Sequence, residues 1–389
     1  MNGESQIMRI LSPSRCTAIC LFSALFASGA FAAGFEGETF TVEPHIAPGP
    51  NVLVNEASWE GASQIHVYGQ EDLTYKGQVS LGLTSQFIPS ADGKKIYAFS
   101  DYMTRYTYGD IESVLQVFDI NTLSVDREII IPNKVVKAIG MDQLIAASFD
   151  EKYLYVQNAT PATSVTVVEL ATGEVVSEIP TPGCYGIMPS LDGYSFSSLY
   201  GGGAVKTFTL DGTGYEVTTS DKIFDVDTDP LYLHSQRRKT GELVMTSFNG
   251  NLYLLDDSGG KVVLTDKIPV TEGIDGDWAP GGYGITAYNG ANDVVFMIMH
   301  SGATEGSHKD ASEEIWAFSL AEKKLLGRYP AEGLVAIDVS QDDNPVVFGV
   351  NENDESIDQY SSKTGLKGEY VKTAADERAG WSTNLTVIP

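Results

Sequence analysis

The side chains able to do chemistry are few and scattered. The five histidines are His45, His66, His234, His300 and His308. They show no HExxH, no HxH and no pair at i,i+4, the spacings that set two imidazoles on one metal ion, so no metal site is expected. His300 and His308 bracket one polar loop, where hydrogen bonding within the loop is the expected use. Asp225-Val226-Asp227-Thr228-Asp229 opens like a calcium loop. Pro230 falls where that loop needs glycine, and Gln236 falls where a bidentate Glu closes it, so an acidic turn is expected instead. Gly282-Tyr283-Gly284 has part of a dinucleotide fingerprint, without its third glycine or a following helix pattern. Asn158-Ala159-Thr160 has the form of a glycosylation sequon, but the leader ahead of it has a bacterial look. There is no GxSxG nucleophile motif, and no catalytic set confined to this chain is expected.

The leader decides what the cysteines can do. Residues 1–32 read as a secretory signal peptide: Arg9 and Arg15 precede an apolar run over 18–28, and Ala30-Phe31-Ala32 offers a cleavage site. That run is too short to span a bilayer, which needs about 20 apolar residues. The expected mature chain is soluble, periplasmic and without a membrane partner. Cys16 and Cys20 leave with the leader, and Cys184 stays alone. An unpaired cysteine in an oxidising compartment reads as a small buried hydrophobe, with no intrachain disulfide. The formal charge of −27 repels nucleic acid and anionic lipid. It favours cationic ligands or basic proteins, and it equally suits a saline habitat.

A sevenfold repeat supplies the scaffold. Strand patterns beginning at Ile65, Leu115, Val165, Val205, Leu252, Ile315 and Ile357 each place two apolar or aromatic residues ahead of a polar residue and a turn. More apolar strands precede them over 52–54, 96–99, 153–156, 194–199, 243–248, 294–299 and 346–350, and these read as the inner strands. A spacing of roughly 40 to 60 residues with several strands per copy is the mark of a propeller blade. No long stretch carries a helical apolar period. The fold class expected is all-β, a seven-bladed β-propeller over 51–389. The tail 384–388 is expected to pair with blade one and close the ring. Residues 33–50, with three prolines, read as an extended N-terminal arm.

The run 278–320, WAPGGYGITAYNGANDVVFMIMHSGATEGSHKDASEEIWAFSL, holds a Pro-Gly-Gly-aromatic turn, an apolar strand, a His-Lys loop and a second apolar strand. It resembles the heavy subunit of tryptophan tryptophylquinone-dependent amine dehydrogenases, the methylamine and aromatic amine dehydrogenase heavy chain family. Tyr283 and the GATEGSHK loop look nearer the aromatic amine type. The likeness extends to the run 155–164, YVQNATPATS, and to Pro182-Gly183-Cys184-Tyr185. It is looser over 104–119, where Asp110 and Glu112 replace a basic residue and an Asp.

The resemblance implies a non-catalytic subunit of a periplasmic enzyme that oxidises primary amines to aldehyde and ammonia. It places tryptophan tryptophylquinone on a small, disulfide-rich light subunit, with none on this chain, in an α2β2 tetramer. Electrons would leave to a blue-copper protein or a c-type cytochrome, the second favoured by the acidic charge. This chain would bury the quinone, shape the substrate channel and help dock the acceptor. Trp59, Trp278, Gly281, Gly282, Tyr283, His308 and Lys309 are the expected channel or light-chain contacts. Packing of Trp59 on the arm, and of Trp278 and Tyr283 inside the propeller, are the competing readings. The family pairs the cysteine matching Cys184 with one that would fall near Tyr200, so that disulfide is absent here. Two other functions stay open: a stand-alone periplasmic propeller that binds a cationic ligand or protein, and a propeller lactonase, for which the sequence offers no cluster of metal ligands.

Overall fold

The computed structural model describes residues 43–389 apart from positions 107, 213 and 389, so the expected signal peptide over 1–32 and the expected arm as far as residue 42 lie outside the described residues. The chain folds into seven antiparallel sheets, each of four strand positions in meander order. They form the seven blades expected from the repeat. Among the described residues no helix is long and apolar enough to cross a membrane.

A blade has no covered face of its own. Seven apolar clusters fill this need, one at each junction between neighbours. Between blades five and six, for example, Val244, Leu252 and Leu254 pack against Met297, Trp316 and Phe318. Because both faces of a blade are covered, its central strands are apolar throughout instead of alternating. Val294–His300 and Leu243–Ser247 are buried at every position, whereas the outer strand Val263–Pro269 is mostly exposed.

One reading of the sequence needs correcting. The apolar strands marked as inner are second from the axis. The strands nearest the axis are Leu83–Pro89, Ile145–Ala147, Cys184–Pro189, Leu231–Arg237, the pair Ala279–Pro280 and Thr286–Asn289, Leu334–Val339 and Asn384–Ile388. They are short or carry polar residues such as Gln86, His234, Asp338 and Asn384, because they line the axial channel while their apolar residues, such as Leu334 and Ile337, pack into the junction clusters.

Ring closure falls to the tail, as the sequence indicates. Asn384–Ile388 pairs antiparallel with Asn51–Glu56, setting Leu385 opposite Val54 and Val387 opposite Val52. It is the axis-most strand of blade one. The two ends of the chain thus meet in one sheet with no covalent link. Removing residues 384–389 would bare the edge beside Val52 and Val54, both fully buried. It would also delete Leu385 and Ile388, each contributing about 1.5–3 kcal/mol by burial, against a total stability of about 5–15 kcal/mol. The truncated chain is expected to lose its cooperative melt by circular dichroism and to aggregate on size exclusion. Leu385→Ala, at a site 5% exposed, should cost about 2–5 kcal/mol and leave a folded ring.

Candidate functional site

Antiparallel order gives the disc two distinct ends. In every blade the turn joining the second and third strands lies at the same end as the connection to the next blade, here the upper end. The expected contact residues collect there. Trp59 lies in the second turn of blade one, and His308 and Lys309 lie in that of blade six. Trp278 lies in the connection entering blade six.

The run 278–320 enters blade six through a broken inner strand. Ala279–Pro280 pairs with the end of Val294–His300, and Thr286–Asn289 pairs with its start. Between them the chain leaves the blade and bonds to blade seven. Tyr283 N–H and Gly284 N–H both donate to Val335 O, and Ile337 N–H donates to Gly284 O. Glycine is required for this crossing. A Cβ on Gly281 would lie 2.3 Å from Asp310 O, and one on Gly282, at φ +115°, would lie 2.4 Å from Val335 O. The same turn binds the His-Lys loop, because Gly282 N–H donates to His308 O at 3.1 Å. Tyr232 OH, from blade five, donates to Pro280 O at 2.6 Å and approaches His308 O at 3.2 Å. The His308 ring stacks on Phe248 with centroids 4.8 Å apart. His308 therefore ties blade five to blade six, while Lys309 is exposed. Tyr283 is half-buried, and burial together with the Glu352 carboxylate holds its hydroxyl above the usual range.

Trp278 has partners within the chain. Its ring lies 5.5 Å from that of Trp316. The Arg328 guanidinium sits 4.4 Å from the Trp278 ring and 4.7 Å from the Trp316 ring. Glu314 fixes this stack: it accepts Arg328 Nε at 2.7 Å, Arg328 Nη2 at 3.0 Å and Trp316 Nε1 at 2.6 Å. The indole N–H of Trp278 donates to Asp275 O. Sequence reading missed Arg328, Glu314, Tyr232 and Phe248, because the first three sit on different strands, Phe248 lies in a turn, and the four share no spacing.

Trp59 is held differently. Ser58 Oγ accepts the N–H groups of Glu60 and Gly61, and Ser63 Oγ accepts that of Ser58. This braces the turn while leaving the Trp59 ring 54% exposed. The described part of the arm runs at the opposite, lower end, where Ile46 N–H donates to Asn121 O. On the upper end Trp381, Tyr106 and Tyr108 are also exposed. Among the described residues no group of three or more His, Cys, Asp or Glu side chains is placed to hold a metal ion. Asp225 takes the N–H groups of Asp227 and Thr228, giving the acidic turn expected.

The family model for the methylamine dehydrogenase heavy chain matches residues 51–379, which is all of the ring except the closing segment. The chain belongs to that family. The methylamine dehydrogenase heavy chain of Methylobacillus flagellatus is 24% identical over 294 residues, covering 74% of this chain and 73% of that one. That of Methylophilus methylotrophus is 23% identical over 326 residues, covering 80% and 78%. Among solved structures, a periplasmic gluconolactonase of Pseudomonas aeruginosa superposes with a TM-score of 0.62 at 13% identity, covering 87% of this chain and 99% of that one. A putative 6-phosphogluconolactonase of Bacteroides fragilis gives 0.60 at 11% identity, covering 90% and 100%. At such identities these two show the propeller fold alone. The protein is a heavy subunit of an amine dehydrogenase, and a heavy chain implies a light-chain partner.

The resemblance pairs Cys184 with a position near Tyr200. Cys184 is a buried free thiol, and its cross-strand partner is Tyr200. Gly201 N–H donates to Gly183 O one step outward, which makes Cys184 and Tyr200 a non-hydrogen-bonded pair. Such pairs bring Cα atoms to about 4.5 Å, within reach of a disulfide. The Tyr200 ring instead receives Lys206 Nζ at 3.9 Å. Burial pushes the Cys184 thiol up from its usual range, so it is protonated and unreactive. The exported chain should show no thiol to a disulfide reagent when native and one when denatured. Tyr200→Cys, exported oxidised, should show none in either state and regain two on reduction.

Proposed function

We propose that this heavy chain serves a periplasmic quinoprotein that oxidises primary amines to aldehyde and ammonia, with its upper end turned to the light subunit. The tryptophan tryptophylquinone of the partner would supply the oxidation, taking two electrons from the amine and passing them to a blue-copper protein or c-type cytochrome. The chain's own contribution is a rigid, water-excluding wall. The exposed Trp59, on a turn braced from behind by Ser58 and Ser63, carries this reading. A large exposed aromatic side chain on a braced turn is suited to close a channel against a second chain. Gly281, Gly282, Tyr283 and His308 build the wall beside it, and Lys309 is a rim contact. Trp278 serves from within, through the Arg328 stack. The two adjacent tryptophans of this chain, Trp278 and Trp316, are engaged by Arg328 and Glu314, which supports placing the quinone elsewhere. An α2β2 assembly fits the same reading.

The exported chain purified alone should neither absorb as a quinone nor reduce a dye with any amine. Co-expression with a small, disulfide-rich light chain from the same source should yield a stable complex with both properties. A monomer that binds no such chain from its native periplasm would overturn the proposal and favour the stand-alone propeller. In the complex, Trp59→Ala should raise KM by about tenfold, the scale of about 1.4 kcal/mol, or reorder preference among methylamine and aromatic amines. The melting temperature of the heavy chain should not move.

A further inference from the structure

One hairpin breaks the uniformity of the blades. The second and third strands of blade two, Lys95–Arg105 and Tyr108–Asp119, run to 11 and 12 residues. Their counterparts in the other six blades have five to seven. The flanking strands stop where an ordinary blade ends. Leu83 pairs with Asp101 on one side, and Ile131 pairs with Ser113 on the other. Beyond those pairs the chain continues at the upper end as a two-stranded ribbon, with Met103 opposite Ile111 and Arg105 opposite Tyr108. At about 3.3 Å per residue, the run from Asp101 to Arg105 carries it roughly 13 Å past the sheet. Among the described residues, no backbone bond joins the ribbon over 103–112 to another strand.

The root of the ribbon is fixed. Asp101 is buried, accepts Ser113 Oγ and lies 3.0 Å from Lys137 Nζ. Tyr102 OH donates to Gln116 Oε1 at 2.8 Å, which folds that ring back onto the blade. Ser100 Oγ accepts Gly82 N–H, and Gly82 O accepts Ser63 N–H, both at 2.9 Å. The root is thus bonded to the turn that carries Trp59. The tip, in contrast, is bare. Thr104, Arg105, Asp110 and Glu112 are exposed, as are Tyr106 at 81% and Tyr108 at 60%. Its bonds are local: Thr104 Oγ1 accepts Asp110 N–H at 3.1 Å, and the Arg105 guanidinium sits 5.6 Å from the Tyr108 ring. Tyr106 has φ +58°, a left-handed backbone that a bulky side chain rarely takes.

A free two-stranded ribbon is marginally stable in water. Open strand edges are normally blunted by Lys, Pro or short length. Residues 102–112, YMTRYTYGDIE, contain no Lys and no Pro, and their Tyr, Thr and Ile favour extended backbone. Such an edge is suited to take an added strand. Position and charge choose the occupant. The ribbon shares its end of the disc and its root with the Trp59 turn, so it continues the face proposed for the light subunit. A second copy of this chain, with a formal charge of −27, would set like charge against Asp110 and Glu112. Arg105, the ribbon's one cation, lies over Tyr108, which leaves the two acids to a basic partner.

We propose that the blade-two ribbon is a docking arm for the light subunit. It takes an extended, basic segment of that chain along its open edge, with Tyr106 and Tyr108 closing over it. The proposal rests on the reading that the upper end faces the light subunit, and it adds the element that grips it.

Hydrogen exchange read by mass spectrometry, on the heavy chain alone and with the co-expressed light chain, tests this. Amides of the ribbon should exchange freely in the chain alone and gain about tenfold or more protection in the complex. Tyr106→Ser with Tyr108→Ser should weaken the complex about thirtyfold, the scale of one interface hot spot. Asp110→Lys with Glu112→Lys should slow association about tenfold. Neither pair should move the melting temperature of the heavy chain. Unaltered binding by both pairs, with the ribbon unprotected while the turn over 57–63 gains protection, would overturn the arm and leave the upper-end reading standing. Protection of neither segment in the complex would overturn both. Protection of the ribbon in the chain alone, at the elution volume of a dimer, would assign it to a second copy and equally overturn the arm.

Discussion

Everything in this molecule depends on closing the ring. A four-stranded blade with two apolar faces cannot bury either by itself, and each of the seven junction clusters exists only while both neighbours are in place. Opening one junction bares two faces and leaves the adjoining blades braced on one side. The clusters on either side of blade one, built on Val52, Val54 and Leu53, Ile65, are thus no stronger than the backbone ladder that inserts the tail between them. With no disulfide, closure rests on that ladder and on the side chains that grip Asn384 and Val387 from across the axis.

The excess of acid is compatible with this scaffold because several buried carboxylates are paired with basic side chains. Arg238 binds Asp293 through Nε and Nη2 at 2.8 and 2.6 Å and also reaches Glu242. Arg237 joins Asp257 to the Pro189 carbonyl of blade four. Such forks are worth little where exposed, but breaking one that is mostly buried strands a charge, at about 3–5 kcal/mol. Arg237 and Arg238 are thereby committed between blades.

Different features of the chain were legible in the sequence to different degrees, for physical reasons. Blade number and the closing tail could be read because a central strand covered on both faces must be apolar at successive positions, as in Val294–His300. The axis-most strands could not. Ile145–Ala147 has three residues, and the inner strand of blade six is cut in two by a crossing to blade seven. The Pro-Gly-Gly turn was visible in the sequence, and the structure supplies the atoms that its backbone approaches. Whether Trp278 turned inward could not be read, since its partners Trp316 and Arg328 come from the third and fourth strands of the blade. Asp142, His234, Asp338 and Asn384 come from four separate strand neighbourhoods, and only closure of the ring makes them neighbours.

The same geometry separates two tasks that would otherwise compete. An exposed ring such as that of Trp59 costs stability unless the turn that carries it is satisfied from behind. The serine hydroxyls of blade one do this locally, and the His308 carbonyl and Phe248 stack do it between blades five and six. The polar cluster of Asp142, His234 and Asp338, in contrast, lies in the channel, where its carboxylates hold the clasp through Asn384 and Val387. A heavy chain organised in this way braces its exposed turns at one end and secures its closure along the axis.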